Sequence, residues 1–119
     1  MASPSDVSAT AHELITLPDA AELLALPITK VHQLIKDGKL VVTRDEQGRR
    51  VLPRIFVAQG SPLKGLPGVI TLLRDGGYSD DEIIGWLLRP DDSLPGTPAQ
   101  ALAENRGTEV KRRAQAAAF

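Results

Sequence analysis

The sequence predicts a mainly α-helical fold with one small β-hairpin, and three observations carry that expectation. Two short apolar-periodic segments follow each other between Thr16 and Gly38. Two β-branched or apolar runs then flank Asp45-Glu46-Gln47-Gly48. Beyond the Gly- and Pro-rich stretch QGSPLKGLP, four further segments carry helical signals.

Residues 1–13, MASPSDVSATAHE, are small and polar without apolar periodicity, which reads as a disordered tail. Thr16 with Asp19 three residues on forms a capping pair, and the acid suits the positive end of a helix. Ala20, Leu23 and Leu24 then recur at helical spacing. Leu24–Pro27 breaks that helix. Pro27 opens a second one, over 28–37, in which Ile28, Val31, Leu34 and Ile35 are expected to turn inward. Asp37-Gly38 ends it. Two helices of about eight residues with so short a connection cross steeply. Leu40–Arg44 and Arg49–Leu52, joined by a glycine-containing turn, read as a hairpin over 40–52. Helix, turn, helix and hairpin in that order make a winged helix-turn-helix, here residues 14–58.

After the connector, Val69, Leu72 and Leu73 mark a helix stopped by Asp75-Gly76-Gly77. Ser79 and Glu82 form a capping box before Ile83, Ile84, Trp86, Leu87 and Leu88, with Trp86 expected in the core. Asp80-Asp81-Glu82 reads as an acidic first turn rather than as a catalytic pair. Asp91-Asp92 falls in a loop with no partner that spacing identifies. Thr97, Pro98 and Gln100 open a further helix closed by Arg106-Gly107, and Thr108–Phe119 is a last, alanine-rich one. Residues 66–119 are thus expected to form a C-terminal helical subdomain on which the winged helix packs.

Composition removes whole classes of chemistry. With no cysteine, disulfides, thiolate zinc sites and cysteine nucleophiles are excluded. The two histidines, His12 and His32, are too far apart for a histidine-rich metal site. Four scattered aromatics do not make a single-strand stacking platform. No apolar run approaches the roughly 18 residues of a membrane span, and no signal peptide opens the chain, so a cytoplasmic, nucleoid-associated protein is expected. No nucleophile with a base, no metal cluster and no phosphate loop can be assembled; neither an enzyme nor a cofactor is expected.

The net charge of −1 conceals a strong polarity along the chain. Residues 1–27 hold four acids and no base; residues 28–56 hold seven bases against three acids; the remainder is nearly balanced. Within the basic segment the second helix turns Thr29, Lys30, His32, Gln33 and Lys36 outward. These types donate to base edges or phosphates, and a helix fits the major groove. Gln33 suits adenine, Lys30 suits guanine, and Thr29 suits a phosphate near the helix start. Lys39, Arg44, Arg49 and Arg50 are placed to hold phosphates around the wing. A charged outer face is ordinarily just a solvated one. The helix-turn-helix order, the hairpin and the density of bases together favour double-stranded DNA as partner and transcriptional regulation as role.

The stretch AAELLALPITKVHQLIKDGKL with the wing VVTRDEQGRRVLP resembles the reading heads of MerR-like and excisionase-like DNA-binding proteins. LPGVITLLRDGGYSDDEIIGWLL and the ending VKRRAQAAAF resemble one actinobacterial family of small winged-helix DNA-binding proteins associated with a PknL-type serine/threonine kinase. That likeness, covering Leu14 to Phe119, implies DNA binding and a kinase acting on the tail, with Thr10 the candidate phosphorylation site. A looser likeness links WLLRPDDSLPGTPAQALAENRGTEV to toxin-binding antitoxin domains. It implies an alternative: an antitoxin-like or scaffold protein that binds a protein partner through its C-terminal helices, which an exposed apolar patch along Leu87, Leu94 and Leu102 would support. No long heptad helix follows the wing, so a monomer is favoured over a coiled-coil dimer.

Overall fold

The computed structural model describes residues 13–94 and 96–119. Most of the expected tail, Thr10 included, lies outside the described residues. Its last residue is part of the fold: the Glu13 carbonyl accepts the Arg54 amide at 2.7 Å.

The chain opens with a strand that the sequence reading did not anticipate, β1 (Leu14–Thr16). Helix α1 (Leu17–Leu24) follows, with the Thr16 hydroxyl accepting the Asp19 amide as expected. It ends in a left-handed turn at Ala25 (φ 54°), where the Leu26 amide returns to the Ala21 carbonyl and the Ala25 amide to Glu22. Helix α2 spans Ile28–Lys36, with Asp37 as its C-cap. Thr43–Arg44 form β2 and Arg50–Pro53 form β3. The sheet is antiparallel in the order β1-β3-β2, with Ile15 opposite Leu52 and Thr43 opposite Val51. The hairpin is therefore present but its first arm is shorter than Leu40–Arg44. Leu40 and Val41 are both fully buried, and the Leu40 amide turns back to the Leu34 carbonyl at the end of α2 rather than joining the ladder.

A 3-10 turn at Arg54–Phe56 leads across the connector into α3 (Leu66–Asp75), α4 (Asp80–Leu88), α5 (Pro98–Ala103) and α6 (Gly107–Ala118). Both capping boxes are complete: Ser79 with Glu82 on α4 and Thr97 with Gln100 on α5. Each contributes about 1 kcal/mol to its helix. Gly107 begins α6 rather than closing α5, because Asn105 (φ 65°) already makes the reversal.

One cluster of buried side chains runs from Ile15 and Leu24 through Val31, Leu52 and Phe56 to Leu73, Leu87 and Val110. Four points that the sequence left open or read differently are decided here. Leu87, Leu94 and Leu102 lie in this cluster, between 0% and 6% exposed, so they form no surface patch for a partner. Trp86 is only half-buried, packed against the cluster from its edge. Asp91 has partners: its carboxylate accepts from the Ser93 amide and hydroxyl, and the Ser93 oxygens accept from Arg113 of α6. Ile28, expected inside, is exposed.

Candidate nucleic-acid interface

Helix α2 owes its orientation to Val31, which is wholly buried, and to Leu34 and Ile35, which are partly so. With 100° between successive residues, the opposite side presents three rows. Ile28, His32 and Lys36 form one; Thr29 and Gln33 form the next; Lys30 flanks the far edge. All six are exposed. Ile28 is left out of the core because a helical side chain covers the turn before its own Cα. That turn, Ala25–Pro27, is itself exposed.

The helix ends in a Schellman arrangement: the Gly38 amide reaches the Ile35 carbonyl and the Lys39 amide reaches Leu34. Gly38 sits at φ 76°, and the exposed Lys39 is thereby set immediately beyond the helix. Among the outward residues, Gln33 is already engaged, its Nε2 donating to Asp37 Oδ1 at 2.8 Å.

The wing is built on Asp45. Its Oδ1 accepts from the backbone amides of Gln47 and Arg49, and its Oδ2 from Arg49 Nε at 2.8 Å. The Arg49 amide above all, then the Arg49 side chain and the Gln47 amide, outweigh partial desolvation and hold the Asp45 carboxyl below its ordinary range. The Gly48 amide closes the turn onto the Asp45 carbonyl, with Gly48 at φ 80° as the left-handed residue that a three-residue hairpin loop requires. Arg44 Nη1 donates to the Gly48 carbonyl.

Arg44 and Arg50 stand directly opposite each other on β2 and β3. Among the described residues, no carboxylate lies within ion-pairing distance of either. Like charges opposite one another in a ladder are unfavourable unless an anion joins them. Asp80 and Asp81, at the start of α4, line the cleft beside these arginines. Asp81 Oδ1 accepts the Thr43 hydroxyl at 2.5 Å, and Asp80 pairs with Arg74 at 2.9 Å.

The tertiary fold brings helix and wing to one groove. Thr16, Leu17 and Pro18 at the start of α1, Ile28 and His32 on α2, and Arg49 and Arg50 on β3 and its turn line it together. Lys30 lies on the far side of α2 and does not reach this groove. Sequence reasoning missed Ile28, the β1–α1 wall and the Thr43–Asp81 contact. None of these had a local signal: Ile28 fits the inward stripe of its helix, and the exposure of the turn before it is a tertiary outcome.

Residues 3–57 match the family model for the wHTH domain of DNA-binding protein Rv2175c. Residues 63–118 match the Rv2175c C-terminal domain of unknown function. The chain is 43% identical over 116 residues to DNA-binding protein Rv2175c of Mycobacterium tuberculosis (strain ATCC 25618 / H37Rv), covering 87% of this chain and 79% of that protein. The NMR structure of Rv2175c superposes with a TM-score of 0.81 at 40% identity, covering 91% of this chain and 82% of the other.

Proposed function

The chain belongs to the Rv2175c family, and from that premise we propose that it binds double-stranded DNA, with α2 in the major groove and the wing on the phosphates. The observation that carries this reading is the groove in which His32 of α2 meets Arg49 and Arg50 of the wing. A rigid body that offers a reading helix and a basic hairpin side by side can place base contacts and backbone contacts in register.

Lys30, His32, Gln33 and Lys36 enter or flank the major groove, with Thr29 on a phosphate near the helix start. Gln33 must exchange Asp37 for the adenine edge, since a bidentate contact uses both its amide atoms. Lys39, Arg44, Arg49 and Arg50 hold phosphates. The opposed Arg44 and Arg50 offer a phosphate two cations at one point, with Asp80 and Asp81 limiting its approach on the cleft side.

The finer reading is a transcriptional regulator with a MerR- or excisionase-like head at 14–58, supported by 66–119. It is a monomer that acts by binding rather than by catalysis, in the cytoplasm at the nucleoid. Among the described residues, no helix is long and apolar enough to cross a membrane. A serine/threonine kinase acting on Thr10 would add a charge of nearly −2 six residues before Thr16, which lines the groove. That phosphate would compete with DNA for the arginines.

The test is a fluorescence-anisotropy titration of duplex DNA over a range of salt concentrations. Arg49→Ala with Arg50→Ala weakens binding to all sequences alike and lowers the salt slope by up to about two. Unchanged affinity and slope refute the reading.

A further inference from the structure

Ile28 is one of only four large apolar side chains exposed among the described residues, and it lies on the outward face of α2, one turn before His32. The groove it lines is mostly apolar, through Leu17, Pro18 and Ile28, and carries the basic Arg49 and Arg50 beside them. An apolar surface with cations beside it is complementary to one that carries methyl groups beside anions. Duplex DNA presents that combination where phosphates border the thymine C5-methyl of the major groove. The first turn of a helix-turn-helix reading helix is also the part that meets base edges.

We infer that Ile28 is a specificity-determining residue that packs on a thymine methyl group, so the preferred site carries thymine opposite the start of α2. The inference rests on the DNA-binding reading and adds to it the base that the apolar part of the interface selects.

The probe is a duplex pool enriched on the wild-type protein and re-amplified with either dTTP or dUTP, which removes the thymine methyl groups and leaves the base-pairing edges unchanged; the Ile28 variant assigns the effect to its own contact. Wild-type protein binds the thymine pool about fourfold more tightly than the uracil pool, the effect of one buried methyl. Ile28→Ala loses about that factor on the thymine pool and no longer distinguishes the two. Because Ile28 is exposed, the variant is expected to retain the wild-type thermal midpoint, and the wild-type comparison needs no variant at all.

Equal wild-type affinity for both pools overturns the inference and leaves the DNA-binding reading standing. An Ile28→Ala loss that is the same on both pools also overturns it, since Ile28 then packs on the sugar–phosphate backbone. Absence of binding to either pool overturns the DNA-binding reading, and the inference with it.

Discussion

A single carboxylate shapes the tip of the wing. Asp45 takes three hydrogen bonds, two from backbone amides and one from Arg49, and these define both the turn and the direction of that arginine. Its carboxyl is held below the ordinary aspartate range, so the charged form is favoured in the folded chain. The ordering it provides is therefore complete above about pH 4, the ordinary aspartate value, and is lost as pH falls through the lowered one. Amide signals of Gln47 and Arg49 should keep their dispersion down to about pH 4 and lose it only as pH falls further, through the lowered carboxyl value; Asp45→Ala should show the disordered pattern already at neutral pH. Residue-level features with partners three or four positions away were legible beforehand, as the Ser79–Glu82 and Thr97–Gln100 boxes illustrate. Ile28 was not, because its apolar character fits the inward stripe and only the exposed turn before it leaves it uncovered.

The elements that the chain order predicts are present, and the discrepancies arise where elements meet. Strand β1 is three residues long and has no alternating pattern of its own; it is a strand because Ile15 and Thr16 find Leu52 and Val51 across the sheet. Likewise, β2 is short because the chain before it is still tied to the end of α2, the Leu40 amide donating to the Leu34 carbonyl. Between α4 and β2 the Thr43–Asp81 hydrogen bond ties the wing to the C-terminal helices. Thr43→Val keeps the shape and the charge of the site while removing that bond. It should cost about 0.5–1.5 kcal/mol in chemical denaturation, the net range for one hydrogen bond. Amide exchange at Arg44 should accelerate in the same variant, whereas unchanged exchange would mean that the wing holds its position without α4.

At the scale of the molecule, the buried cluster does not stop at the connector. Phe56, fully buried in the 3-10 turn before the connector, shares it with Leu66, Ile70 and Leu102 beyond. The two lobes should accordingly unfold together. Leu52→Ala, in the sheet of the winged helix, should cost about 2–4 kcal/mol and shift the fluorescence transition of Trp86, on α4, by as much as the circular-dichroism transition. Two separated transitions would show that the lobes are independent. The chain-long polarity of charge takes spatial form here too: the bases of residues 28–56 are exposed or half-buried, and the cleft beside Arg44 and Arg50 is bounded by Asp80 and Asp81. By itself the sequence determined the helices, their caps, the turn of the wing and the basic character of its segment, since each depends on residues within a few positions of one another. Only the tertiary structure decided that β1 completes the sheet, that Leu87, Leu94 and Leu102 are core, and that Ile28 and His32 share a groove with Arg49 and Arg50. Those outcomes depend on which surfaces, distant along the chain, exclude water from each other.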